Sequence, residues 1–235
     1  MSSTSSLLRL EVPREYAALM ELEHALPPLL QAFDWSLKYR LSRDGASLGT
    51  LMRQAHLSTP LLLMVRVDVE GGGSYLVGGL ASRALGDKVQ GTANEIVGTG
   101  KWKGTGQSFL FNMVLEAPPG DQGMDLDAGG GALQTFGWSR RSSCFQLVGN
   151  REGLAFGGGG DFGYGLWCDP QLQVCTSSSC LTYGNTSSLL HPASFASRDD
   201  DDPQMIQTAP DEGAPPPHPG AVTGSVVEME CWAFV

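Results

Sequence analysis

The sequence predicts a β-rich α+β fold: a two-sheet antiparallel β-sandwich with short flanking helices near the N-terminus. Apolar residues make up 41% of the 235 residues, enough for a sizeable core. Segments with strand-like patterns follow one another without intervening helices, which favours antiparallel sheets packed face to face. Four glycines, Gly157–Gly160, lie between Phe156 and the aromatic segment that leads to Trp167. This arrangement predicts a central hairpin, because glycine permits a tight turn and a close backbone approach.

Residues 1–34 are predicted to form an N-terminal segment with one helix, and residues 35–235 a single domain. Apolar residues within 13–33 recur at helical spacing, and Pro27-Pro28 should end or kink that helix.

The domain opens with a strand, a turn and a short helix. Trp35–Leu41 alternates apolar and polar residues, which predicts a half-buried strand. Ser42–Gly45 has the Asp-Gly pair typical of a turn. Ser47 is a favourable N-cap for a helix over Leu48–His56.

The remaining elements are predicted to be strands, because the segments are apolar and bounded by glycine-rich or polar turns. They are Leu61–Val67, Tyr75–Ala81, Ser108–Val114, Leu133–Trp138, Cys144–Val148, Gly153–Phe156, Phe162–Cys168, Gln173–Thr176 and Val222–Val235. The last of these is expected to return to the core. Residues 82–106 show no clear period and are expected to form a loop.

Two polar stretches are expected to lie outside the core. Residues 116–131 have the composition of a solvated insertion. Residues 197–220 contain the four-aspartate run Asp199–Asp202 and many prolines, and are predicted to be a disordered insertion.

The charge and hydropathy patterns exclude several classes of protein. The net charge of −10 argues against a nucleic-acid partner, which usually requires a basic face. The longest apolar run, Leu61–Val65, is too short to span a bilayer, and the N-terminus lacks a signal-peptide pattern. We therefore expect an intracellular protein without membrane insertion, whose five cysteines are reduced thiols.

No cofactor site is predicted from the glycine-rich motifs. Gly158-x-Gly160-x-x-Gly163 matches the dinucleotide fingerprint in letters, but a strand rather than a helix is expected to follow it. Gly98–Lys101 lacks the spacing of a phosphate-binding loop.

No metal site is predicted either. Cys168, Cys175 and Cys180 are separated by six and four residues rather than by the short spacers of zinc sites. Asp125 and Asp127 lack the glycine and glutamate positions of a calcium-binding EF-hand loop.

Catalytic patterns are weak. There is no Gly-x-Ser-x-Gly elbow, and the four histidines do not fall in a pattern that indicates a triad. The alternative to a non-enzymatic protein is a thiol-dependent redox or hydrolytic enzyme that uses Cys144 or a Cys180–His191 pair.

Several blocks, in order, resemble the TLDc domain family of oxidation-resistance and nuclear-receptor-coactivator-like proteins. The blocks are Trp35–Leu48, Pro60–Leu63, Gly104–Phe111, Gly157–Asp169, Cys180–Asn185 and Glu230–Phe234. Gln107 stands where the family usually has glutamate, and an extra Tyr164-Gly165 pair interrupts the fourth block.

The resemblance implies a β-sandwich without an established catalytic centre. It also implies binding to the peripheral sector of the vacuolar-type proton ATPase (V-ATPase), regulation of that enzyme (including its disassembly) and a role in oxidative-stress resistance. The blocks look like a stand-alone short form of this eukaryotic family. We expect a cytoplasmic monomer that is recruited to endolysosomal or vacuolar membranes; mitochondrial and nuclear pools are compatible with the sequence.

Two turns are the candidate partner-binding sites, because binding groups concentrate on loops held by a rigid scaffold. One contains Arg43, Asp44 and Gly45; the other contains Gly104, Gly106 and Gln107. The competing interpretation for each is a purely structural turn. An adaptor for a protein unrelated to the V-ATPase is a third possibility.

Overall fold

The computed structural model describes residue 7 and residues 13–56, 58–88, 96–118, 132–149, 152–158, 163–191 and 220–235. Most of the two predicted insertions, over 116–131 and 197–220, lies outside these residues.

Three helices lie near the N-terminus of the described chain: α1 (Pro13–Ala25), α2 (Leu41–Asp44) and α3 (Leu48–Ala55). Helix α1 confirms the predicted N-terminal helix. The Ser47 hydroxyl accepts a hydrogen bond from the backbone N–H of Thr50, so the predicted N-cap of α3 is also confirmed.

Thirteen strands are described. Their bounds are β1 Trp35–Arg40, β2 Leu61–Val69, β3 Gly73–Ala81, β4 Asp87–Lys88, β5 Ile96–Val97, β6 Thr99–Lys103, β7 Leu110–Glu116, β8 Gln134–Phe136, β9 Gln146–Gly149, β10 Gly153–Phe156, β11 Leu166–Cys168, β12 Val174–Ser177 and β13 Val222–Phe234.

Eleven of these strands form one antiparallel sheet in the order β6-β9-β10-β11-β12-β13-β2-β3-β7-β8, with β1 attached to β13, while β4 and β5 form a separate pair. Strand β13 connects the sheet, because it pairs with three other strands. Along one edge it pairs with β12 through Val222–Ser225 and then with β1 through Glu230–Phe234. Along the other edge it pairs with β2 from Ser225 to Ala233.

The sheet folds back so that its two halves pack against each other, which confirms the predicted sandwich and its short helices. The two layers are not separate sheets, because β13 is hydrogen-bonded to β12 on one side and to β2 on the other. Odd-numbered residues of β2, such as Leu63 and Val65, share one core cluster with Phe156 and Leu166 of the opposite half. Helix α3 contributes Leu51 to the same cluster.

The other face of β2 packs beneath α1. Leu62 and Met64 form a second cluster with Leu22 of α1, with Leu26 just after that helix and with Trp232 of β13. Because both faces are covered, the first five residues of β2, Leu61–Val65, are all apolar rather than alternating with polar residues.

The predicted hairpin at Gly157–Gly160 is confirmed by the antiparallel pairing of β10 with β11, in which Phe156 lies opposite Leu166. Residues 159–162 lie outside the described residues.

The prediction of a loop over 82–106 was wrong in part, because β4, β5 and β6 lie there. Strand β6 pairs with β9 through a shifted register, and Gly100 at φ +63° interrupts its alternation. A short strand with an irregular register has no readable period of two.

We expect Gly78→Ala to destabilise the fold by about 2–3 kcal/mol, because extra volume in a packed core forces backbone shifts. A Cβ atom at Gly78 would lie 2.0 Å from the Leu63 carbonyl oxygen and 2.6 Å from the Phe111 ring. Urea unfolding monitored by circular dichroism measures the change. Gly137→Ala is the matched control, since a Cβ there meets nothing within 4 Å. Equal stability of the two variants would contradict this packing.

Candidate functional site

The first predicted site, at Arg43, Asp44 and Gly45, is a closed local network. The Arg43 guanidinium donates to both carboxylate oxygens of Asp44 at 2.9 and 2.7 Å and to the Lys38 carbonyl at 3.1 Å. Asp44 also accepts from the Arg40 backbone N–H at 2.8 Å. These contacts use the donors and acceptors that a partner would otherwise engage.

The electrostatics of this turn favour an ionised carboxylate. The Arg43 hydrogen bonds lower the pKa of Asp44 from 3.8 to about 2; partial desolvation opposes the shift, and the Arg40 N–H adds to it. Gly45 follows at φ +87°, and its carbonyl accepts a 2.6 Å hydrogen bond from the buried Tyr39 hydroxyl. The turn therefore has a structural role; partner binding by it stays a prediction.

The second predicted site lies at the end of the sandwich, after β6. Gly104 has φ +120°, and a Cβ there would lie 2.5 Å from Phe145. Gly106 and Gln107 are exposed, while the Thr105 backbone N–H donates to the Ser82 hydroxyl at 2.8 Å. The glycines thus permit a backbone path that side chains would block.

Sequence reasoning missed a neighbouring loop, Gly137–Phe145, which the structure brings against Gly106. The Trp138 ring is 40% exposed and covers Gly106, where a Cβ would lie only 2.3 Å from the ring. The Trp138 indole donates to the Ser142 carbonyl at 2.7 Å, and its ring meets Phe145 edge-on at 5.5 Å. An exposed tryptophan is therefore held in a fixed orientation.

Two arginines project from the same loop. Arg140 and Arg141 are exposed, and among the described residues neither guanidinium has a hydrogen-bond or ion-pair partner. Arg140 has φ +65°, a conformation that costs a residue other than glycine about 1 kcal/mol or more. Such strain persists only where the surrounding structure imposes it.

The loop Cys180–Gly184 imposes that conformation. The Ser139 backbone N–H donates to the Thr182 carbonyl at 2.8 Å, and the Arg141 N–H donates to the Ser139 hydroxyl at 3.1 Å. The Tyr183 hydroxyl donates to the Phe145 carbonyl at 2.9 Å. Both ends of the arginine loop are therefore tied to the core.

We call residues 101–107, 137–145 and 180–184 together the basic rim. It contains Lys101, Lys103, Arg140 and Arg141 and no acidic residue, so its charge of +4 contrasts with −14 for the rest of a chain whose net charge is −10. Lys103 is paired with Asp87, which leaves Lys101, Arg140 and Arg141 as the rim charges that have no ion pair among the described residues. The sequence alone shows that these three segments lack acidic residues although the chain as a whole is acidic. It does not show that the folded chain brings them together.

Of the two thiols proposed for catalysis, Cys180 is buried, as is Cys231, which was not a candidate. Burial raises the pKa of Cys180 to about 11 and that of Cys231 to about 12. Cys180 is therefore a protonated thiol at neutral pH, unlike a catalytic cysteine, whose pKa is lowered. Cys144, in the basic rim, is half-buried.

In the described ranges of the chain, no three histidine, cysteine or acidic side chains gather as a metal site would require. None of the helices there is long and apolar enough to cross a membrane.

The sequence of this chain matches the model of the TLDc domain over residues 15–235. The chain belongs to the TLDc family. This result confirms the resemblance read from the sequence blocks, and the match also includes most of helix α1, which packs in the same core as Trp232.

Similar TLDc proteins come from vertebrates. Human Oxidation resistance protein 1 is 32% identical over 166 residues, or 70% of this chain and 15% of the relative. Its Xenopus laevis counterpart is 30% identical over 187 residues, covering 79% and 17% of the two chains. Human Nuclear receptor coactivator 7 is 29% identical over 184 residues, covering 75% and 16%. The chain thus spans about a sixth of the length of these relatives.

We expect Asp44→Asn to remove part of the acid sensitivity of folding. The folded-state pKa of Asp44, about 2, lies below its ordinary value of 3.8, so the stabilisation is complete above about pH 4 and is lost as the pH falls toward 2. The stability difference between wild type and variant should therefore shrink over that interval. Urea unfolding at pH 2–6 measures it, with the exposed Glu21→Gln as the charge-matched control. A difference independent of pH would contradict the Arg43–Asp44 network.

Proposed function

We propose that this TLDc chain is a non-catalytic interaction module that binds the peripheral sector of the V-ATPase, regulates that enzyme and contributes to oxidative-stress resistance. Support for the stress role comes from relatives named oxidation resistance proteins. The V-ATPase partner rests on the family resemblance.

The basic rim is the observation that carries the binding role. Tryptophan and arginine are enriched among the residues that dominate binding energy at protein interfaces. Here an exposed Trp138 and two arginines without a described partner lie on a rigid loop, so little ordering is needed on binding. The positive rim suits an acidic surface on the partner. The rest of this chain carries net negative charge and would repel the same acidic surface.

The predicted turn at Gly104, Gly106 and Gln107 belongs to the same surface, whereas Arg43, Asp44 and Gly45 do not lie in it. Gly106 serves the surface indirectly, because the absence of a side chain lets the Trp138 ring lie close against the turn. Gln107 is exposed beside it and offers an amide to the partner.

The enzymatic alternative receives less support. A Cys180–His191 pair would need a reactive thiolate, but burial raises the pKa of Cys180 to about 11. Its Sγ is close to the Tyr183 backbone N–H, at 3.5 Å, inside the core.

We expect Arg141→Glu to weaken capture of purified V-ATPase peripheral sector about tenfold or more, because charge reversal turns attraction into repulsion at the rim. The measurement is a titrated pull-down with the full chain and immunodetection of the V-ATPase subunits. Arg53→Glu is the matched control, since it makes the same charge change at an exposed position of α3 outside the rim, and its capture should equal that of wild type.

A second pair of variants tests the geometry without changing charge. Gly106→Ala should displace Trp138 and reduce capture, while Gly137→Ala, where a Cβ meets nothing within 4 Å, should not. Failure of the wild-type chain to capture the peripheral sector would refute the partner. Capture that is equally strong in Arg141→Glu would refute the surface.

A further inference from the structure

Cys168 and Cys175 form a dithiol in the core. They lie directly opposite each other on the adjacent antiparallel strands β11 and β12. Their Sγ atoms are 3.3 Å apart, and the two residues are 1% and 0% exposed. No other feature of the fold or of the basic rim requires two thiols at this position.

The backbone pattern places this pair where a disulfide fits. The next pair along the ladder is hydrogen-bonded, since the Asp169 N–H donates to the Val174 carbonyl at 3.1 Å. The cysteines therefore occupy a non-hydrogen-bonded position, where Cα atoms are about 4.5 Å apart and the side chains are closest. That separation lies within the range of about 4.4–6.8 Å that disulfides span.

Only a small side-chain movement separates the dithiol from a disulfide. A disulfide bond is about 2.05 Å long, so the sulfurs must approach by a little over 1 Å from their 3.3 Å separation. The turn between the strands is already fixed, because the Asp169 carboxylate accepts the backbone N–H groups of Gln173 and Val174, each at 2.7 Å. Rotation of the two side chains is then the main change required.

The buried position controls the rate of oxidation. The hydrogen bond with Cys168 and burial raise the pKa of Cys175 well above its ordinary value, so its thiolate is scarce. Peroxide attacks thiolates, and it must reach them. Reaction is therefore expected during transient opening of the β11–β12 hairpin, more slowly than at the half-buried Cys144.

We propose that Cys168 and Cys175 are a modification site, at which hydrogen peroxide forms a reversible intramolecular disulfide that stabilises the TLDc fold. Peroxide oxidises one thiol to a sulfenic acid and releases water. The second thiol attacks that sulfur, forms the S–S bond and releases a second water. Each disulfide thus consumes one peroxide and two thiol hydrogens, and a dithiol reductant reverses the change.

The expected effect is a more stable protein under oxidant, independent of any partner. Closing the loop between the two cysteines restricts the unfolded chain, which corresponds to a rise in Tm of about 5 °C for a domain of this size. This inference does not rest on the proposed V-ATPase binding, and failure of either leaves the other intact.

The test uses the full chain treated with hydrogen peroxide, with and without a low concentration of urea. The peptide region that contains Cys168 and Cys175 should lose two hydrogens, and cleavage before Asp169 should give two peptides that separate only after reduction. The Tm should rise by about 5 °C and return after dithiothreitol. The rate of bond formation should increase in urea, because urea promotes opening.

Two variants separate this site from other thiols. Cys175→Ala should abolish both the disulfide and the Tm increase. Cys231→Ala, which alters another fully buried thiol, should retain both. Peptide mapping of the wild-type chain decides the matter even if Cys175→Ala does not fold. The proposal is overturned if Cys168 and Cys175 remain free thiols after Cys144 is fully oxidised in urea, or if the disulfide lowers the Tm.

Discussion

The structure depends on the pairing of strand β13 with three other strands. Its N-terminal part joins β12, its C-terminal part joins β1, and its other edge joins β2. A buried charge fixes this junction: Glu230 is fully buried, bonds to the Arg40 guanidinium at 2.9 Å and accepts the Trp232 indole N–H at 3.0 Å. Removing one partner of such a pair leaves an uncompensated buried charge, at a cost of about 3–5 kcal/mol.

This junction separates the two turns that were predicted to bind a partner. The turn at Arg43–Gly45 lies beside β1, and its charges are used within the turn. The basic rim lies at the end of the opposite half, where β6 and β9 meet. The two predicted partner-binding turns are thus different in kind: the first is closed by its own ion pair, while the second adjoins exposed groups without described partners.

The fold was largely predictable because its strongest signals are local. Leu61–Val65 is continuously apolar because this part of β2 is covered on both faces, and the β-prone Val222–Val235 could bury its apolar side chains only by rejoining the core. The short strand β6 was not predictable, since its register shifts against β9. Its pairing depends on distant residues rather than on its own pattern.

The candidate site was only partly predictable for the same reason. Gly104, Gly106 and Gln107 could be identified as a turn, but Trp138 joins them only through a tertiary contact with Gly106, and Arg141 follows Trp138 in the same loop. Cys168 and Cys175 were visible as neighbours in sequence, yet their opposition across two strands depends on the turn held by Asp169. Sequence spacing alone predicted neither relationship.

Native-state hydrogen exchange of the β13 amides tests most directly whether this terminal strand is the structural centre. Chain termini usually fray, with opening free energies far below that of global unfolding. We predict instead that the amides of Cys231, Trp232 and Ala233, which β1 and β2 flank on both edges, exchange only through global unfolding, with the same free energy as those of β2. Exchange of these amides at a clearly lower free energy, while β2 remains protected, would contradict the account.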